Sequence, residues 1–125
     1  MDYQLLKKQI PKFLVAGFSG VFVDLSVYSL LLRVLPVSPS KAISFVCGTC
    51  VSFVINKYWT YGLKDQVIKH AAKFAVLYAV TLVINVGVNK FTLLLLPHSL
   101  AIAFLAATCV TTVINFIGQK LWVFK

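Results

Sequence analysis

Acidic side chains are scarce. The 125-residue chain has no glutamate and three aspartates, Asp2, Asp24 and Asp65, against twelve lysines and arginines. Asp2 falls in an N-terminal tail, Asp65 in a polar loop and Asp24 inside an apolar run, so no two carboxylates are close enough in sequence to share acid–base work. His70 and His98 show no spacing to a carboxylate that suggests a triad or a metal site, and both read as surface residues. Glycine is sparse and never gathers into a loop able to cradle a nucleotide. Cys47, Cys50 and Cys109 lie in apolar stretches; the "CGTC" pattern has no second pair or ligand histidine, so these thiols read as small packing residues. The chain is expected to be a non-enzyme without metal or cofactor. Charged residues of either sign make up 12%, about half the share of a soluble domain.

Apolar residues fill the space that charge leaves. They make up 60%, and the mean hydropathy is +0.92. A soluble fold of this length lacks the interior to hide so much apolar side chain, which predicts an integral membrane protein of one membrane domain over residues 1–125. The net charge of +9 does not indicate nucleic acid, because the cations stand at the ends of apolar runs rather than in a patch with interleaved aromatics. Anionic lipid headgroups suit that placement. Four spans are predicted at 13–35, 40–60, 73–96 and 99–121, each near the roughly 20 residues a bilayer core requires. They must be helices, since each has to satisfy its own backbone polar groups. The first run is too long for a signal peptide and reads as a retained anchor.

The chain repeats itself. "KF" at 12–13 returns at 73–74 and "LP" at 35–36 returns at 96–97, while "SFVINKYWTY" (52–61) returns as "NFIGQKLWVF" (115–124). Tight turns, "PVSPS" and "PHS", divide each half, and a longer polar loop over 60–73 joins the halves. Lys7, Lys8, Lys12, Lys57, Lys64, Lys69, Lys73, Lys120 and Lys125 fall on one side of the spans; Arg33, Lys41 and Lys90 fall on the other. That bias places both termini and the middle loop in the cytoplasm. The expected fold is all-α: a four-helix membrane bundle built from two parallel-oriented helical hairpin repeats. Tyr58, Trp59, Tyr61, Trp122 and Phe124 would form an aromatic belt, with Lys57 and Lys120 snorkelling beside it.

Small and polar residues recur at spacing four in every span: Ala16, Gly20, Asp24 and Tyr28; Ser44, Gly48, Ser52 and Asn56; Thr81, Asn85 and Asn89; Ala103, Ala107, Thr111, Asn115 and Gln119. Residues four apart share a helix face, so each span carries one such stripe. Two readings stay open, a packing seam and the lining of a polar route for a headgroup. Asp24 is about 18 Å along the helix from Lys12, near mid-membrane, where a carboxylate is expected to be paired or functional. Asn85 takes the matching place in the second half, and Lys90 is a candidate partner for Asp24.

The pieces "KFLVAGFSG" (12–20), "FVINKYWTY" (53–61) and "NFIGQKLWVF" (115–124), in that order and spacing, make the chain resemble the GtrA-like family over nearly its whole length. It departs in having Gly17 followed by Phe18 where paired glycines are common, and Lys57 where arginine is common. These are small four-helix membrane proteins linked to polyprenyl-phosphate sugars in cell-surface polysaccharide synthesis. The resemblance implies a flippase or flippase component for such a glycolipid in the cytoplasmic (inner) membrane. Four helices make a thin bundle in which to enclose a headgroup, so a homo-oligomer or a complex is expected, with a membrane-bound glycosyltransferase among the partners. The family's boundary motif maps onto Asn56, Lys57 and Trp59, and again onto Asn115, Lys120 and Trp122. Lys57 and Lys120 would attract the phosphate or merely anchor the helix ends; Arg33, Lys41 and Lys90 would receive the lipid outside; Asp24, Asn56, Asn85, Asn115 and Gln119 would accompany the sugar. Two other classes stay open. Four short helices and one membrane carboxylate fit a proton-coupled exporter of small cations, and the same helices fit a non-transporting anchor for a glycosyltransferase.

Overall fold

The computed structural model describes residues 3–125, the side chain of Ser38 excepted; Asp2 lies outside them. Described residues form four helices and no strand: α1 (Tyr3–Leu31), α2 (Val37–Ile55), α3 (Val67–Leu95) and α4 (Leu100–Gly118). A five-residue π-helical segment extends α2 and another extends α4, here π1 (Asn56–Thr60) and π2 (Gln119–Val123). All four helices are long and apolar enough to cross a bilayer. The expected all-α membrane fold is what the chain adopts.

The helix ends are not where hydropathy places them. α1 begins at Tyr3 and α3 at Val67, so the long middle loop shrinks to 61–66. Lysine and glutamine sustain a helix as well as most apolar residues do, and a hydropathy scan stops at them. Pro11 lies inside α1, at the step from its basic to its apolar stretch. α2 starts early too, because Pro36 serves as its N-cap and Pro39 falls in its first turn, where a missing N–H costs nothing. Gly62 and Gln66 take positive φ (65° and 59°) and turn the chain from π1 into α3.

The chain divides after Asp65 into two compact units, each a helical hairpin. In the first, Gln9, Phe13, Ala16 and Gly20 of α1 are buried, as are Ser40, Ser44, Gly48 and Ser52 of α2. Backbones approach closely here: a Cβ on Gly48 would stand 2.5 Å from the Gly20 carbonyl oxygen, and one on Gly20 2.9 Å from that of Gly48. The Ser52 hydroxyl uses this proximity to donate to the Ala16 carbonyl at 3.1 Å. Small residues do what association in lipid needs, since packing and hydrogen bonds must replace the hydrophobic drive available in water.

The second hairpin repeats the pattern with different volumes. His70, Phe74, Leu77 and Thr81 are buried on α3, each 61 positions beyond its counterpart on α1. Ala103, Ala107 and Thr111 are buried on α4, each 63 positions beyond Ser40, Ser44 and Gly48. Leu77 fills the space Gly118 leaves, and a Cβ there would meet its Cδ1 at 2.7 Å. The same two positions in the first hairpin hold Ala16 and Ile55, so large and small have changed sides. His70 is buried, not superficial: its ring meets Phe124 edge-on at 5.3 Å, because α3 extends past the expected loop and carries it into the seam.

Candidate functional site

Each hairpin has one basic, aromatic end, built on its π segment. The wide turn is closed by Tyr61 N–H donating to the Asn56 carbonyl and Phe124 N–H to the Gln119 carbonyl, both at 2.9 Å. In π1 this geometry buries Asn56, Lys57 and Thr60 and leaves Tyr58 and Trp59 exposed. In π2, Gln119 and Val123 are buried, Lys120 is half-buried and Trp122 is exposed. Single π turns inside helices are frequent at functional sites, and here one ends each repeat.

Lys57 does not snorkel. It is 0% exposed, and its Nζ donates to the Asp65 carbonyl oxygen. A carbonyl in the short loop lies within reach of the stem and gives the buried ammonium an acceptor, which a headgroup-facing pose would forgo. Lys57 Nζ also lies 5.3 Å from the Tyr58 ring centre, while the cations over the two tryptophans are Lys12 and Lys73. Lys12 Nζ stands 5.5 Å from the centre of the Trp59 ring, and Lys73 Nζ stands 5.5 Å from that of Trp122. Lys73 also donates to the Trp122 carbonyl at 3.4 Å. Sequence reasoning took these lysines as topology marks only. The missed signal was that "KF" and "KxW" recur together, as two halves of one contact across a hairpin.

The buried amides differ between the hairpins. Asn56 is 1% exposed, and its Oδ1 accepts from the Thr60 hydroxyl at 2.8 Å. At the equivalent position Gln119 is 0% exposed, and neither Oε1 nor Nε2 has a hydrogen-bond partner. Val123 stands where Thr60 does and has no hydroxyl to offer. Asn115, one turn earlier, has its buried Oδ1 unpartnered as well. The boundary motif therefore matches Asn56 to Gln119, and Asn115 to Ser52, rather than Asn56 to Asn115.

Nearer the opposite end of the first hairpin, Asp24 pairs with Lys41, not with Lys90. Lys41 Nζ donates to both carboxylate oxygens, at 3.1 and 3.0 Å, and lies 5.6 Å from the Tyr28 ring centre. The hairpin explains the choice. α1 runs seven residues past Asp24 and α2 begins four before Lys41, so both lie within roughly 10 Å of the turn along their axes. Asp24 is thus nearer the turn than mid-helix. In the second hairpin, Asn85 Nδ2 donates to the Thr111 hydroxyl at 3.4 Å, and Phe104 stands where Lys41 does. Arg33, in the turn after α1, and Lys90, on α3, are exposed. Of the expected site residues, the structure brings together Asp24 with Lys41, Asn85 with Thr111, and Asn115 with Gln119 on one face of α4 and its extension.

Two hairpins of membrane-spanning helices, with seams of small residues and duplicated lysine–tryptophan ends, define a multi-pass membrane protein. Residues 12–124 match the family model described as "GtrA/DPMS, transmembrane domain", and the chain belongs to that family. The matched stretch takes in both lysine–tryptophan pairs and both π segments. A relative in Bacillus subtilis (strain 168), the "Uncharacterized membrane protein YngA", is 30% identical over 125 residues, covering 94% of this chain and 80% of its own. No solved structure matches the chain.

Proposed function

We propose that the protein moves a polyprenyl-phosphate-linked sugar across the cytoplasmic membrane, alone or as part of a flippase, for cell-surface polysaccharide synthesis. The observation that carries this reading is the family match over 12–124, the whole of which is needed to build both basic ends. Both termini and the loop at 61–66 face the cytoplasm in this reading, from the excess of lysine at those ends. Lys12 over Trp59 in the first hairpin and Lys73 over Trp122 in the second each meet a lipid phosphate at headgroup level, and the half-buried Lys120 adds a further cation to the second. Arg33, Lys41 and Lys90 receive it at the other face. Lys41 is held by Asp24 until a phosphate competes for it, so the aspartate keeps that cation placed within the bilayer. No bond is made or broken: the chain works by pairing charge and hydrogen bonds along the route.

The exporter reading takes Asp24 as a lone membrane carboxylate, whereas its side chain pairs with Lys41 at 3.0 Å. The test is reconstitution of the purified protein in vesicles with a labelled polyprenyl-phosphate sugar. Wild type is expected to expose the label on the far leaflet. The paired Lys12→Gln and Lys73→Gln variant, inserted normally, should do so about tenfold more slowly, the loss of some 1.4 kcal/mol of phosphate attraction. Unchanged transfer in that variant removes the assigned role of these lysines. No transfer by wild type, together with co-purification of a glycosyltransferase, would make the chain an anchor instead.

A further inference from the structure

In the first hairpin the buried Asn56 has its amide oxygen met from within, by the Thr60 hydroxyl. In the second, the equivalent Gln119 is fully buried with neither amide atom partnered, and the Asn115 Oδ1 one turn away is in the same state. A buried amide without partners is costly, and native structures rarely tolerate two together. The difference traces to two changes within the repeat, Gln119 in place of an asparagine and Val123 in place of a threonine. We propose that the second hairpin takes from a ligand the hydroxyl that the first supplies to itself: Gln119 and Asn115 form a binding site for hydroxyl groups of the lipid-linked sugar.

Gln119 can both donate and accept, the pairing a sugar hydroxyl requires, whereas a phosphate only accepts. Trp122, three residues on in the same π segment, carries Lys73 over its ring, and this pair would hold the phosphate of the same lipid while the amides hold the sugar. Entry needs only local opening of π2, which closes α4, and helix ends open at small cost. This inference rests on the translocation reading for the identity of the sugar carrier; the partnerless amides stand without it.

The experiment uses the full chain in phosphatidylcholine nanodiscs with two probes, undecaprenyl phosphate and undecaprenyl-phosphate glucose. Wild type is expected to bind the glucosyl lipid more tightly than the sugar-free one. The double variant Gln119→Asn, Val123→Thr copies the Asn56–Thr60 pair and closes the site on itself. It should melt at or above the wild-type temperature without lipid, bind the glucosyl lipid about threefold to tenfold more weakly, and bind the sugar-free lipid as before. Val123→Ala, which adds no hydroxyl, should bind both lipids like wild type. Should the double variant fail to insert, Val123→Thr alone carries the same comparison. The proposal is overturned if wild type binds the two lipids equally, as it would were the amides met only by water, or if supplying the internal hydroxyl leaves sugar preference intact. A sugar preference that the variant loses, in a protein that moves no lipid across vesicles, would keep the site and end the translocation reading. Lipid movement without sugar preference would do the reverse.

Discussion

Asp24 and Asn85 occupy the same place in the two hairpins, and their neighbours decide what each does. Asp24 has Lys41 across the seam, 18% exposed at its side chain against 55% for the lysine. The lysine can turn to water when alone, and the aspartate cannot. Lys41→Gln, which leaves the carboxylate unpaired, should lower stability by about 1–2 kcal/mol, below the roughly 2.5–3.5 kcal/mol for a charge at the bilayer centre because the site is near the turn. Asp24→Asn, which copies the second hairpin, should be close to neutral, and the double variant should recover most of the loss. Unfolding in detergent with a graded denaturant reads these differences; Asp24→Asn costing more than Lys41→Gln would show that the carboxylate has a structural task beyond the pair. Thr60→Val makes the opposite change, orphaning Asn56 as Gln119 is orphaned. It should cost about 1–3 kcal/mol, the desolvation penalty of a buried amide left without a partner, and leave insertion intact.

At the scale of the helix pair, the seams were legible and the ends were not. The spacing-four stripes identify the faces that meet: Ala16 and Gly20 lie against Gly48 and Ser52, and Thr81, Ala103, Ala107 and Thr111 are all buried. Small residues at one helical spacing have few other uses in an apolar helix, which is why the signal was clear. The extension of each seam through Gln9, Phe13, His70 and Phe74 was not, because polar and aromatic residues beside lysines look like a membrane border. The π segments were illegible for another reason. A wider turn shifts the helical phase, but over five residues at a helix end the shift is too short to read as a period, and it shows only in which side chains point inward, as Lys57 does beside Asn56. The seams also predict unequal tolerance of a methyl group. Gly48→Ala would strike the Gly20 backbone at 2.5 Å and should separate α1 from α2 at a cost of about 1–3 kcal/mol. Gly118→Ala would strike only the mobile end of Leu77 at 2.7 Å, should cost less, and should be rescued by Leu77→Ala, the arrangement nearer to that of the first hairpin. A double-mutant cycle read by thermal melting checks both.

For the whole chain, the bilayer is the solvent that makes the surface intelligible. Phe18, Phe22, Val83, Phe91, Leu94 and Phe104 are widely exposed on the spans, a burden in water and a match to acyl chains. Function then depends on which way the hairpins cross. The charge count puts nine cations on the side of the termini and middle loop against three on the side of the proline turns, and both lysine–tryptophan pairs belong to the former. Chain connectivity keeps the two basic ends on one side of a bilayer that all four helices cross, because residues 61–66 join π1 to α3 and are too few to span the hydrocarbon; that side is either the cytoplasmic or the outer one. Single cysteines decide between these. With Cys47, Cys50 and Cys109 replaced by alanine, an impermeant maleimide added to intact cells should label Leu35→Cys and His98→Cys, at the two turns. Lys64→Cys, in the loop between hairpins, should react only after permeabilisation. Labelling of Lys64→Cys in intact cells, with neither turn reacting, would put the lysine–tryptophan ends outside, and their part in capturing phosphate from the cytoplasm would have to be abandoned even with every contact inside each hairpin left as it is.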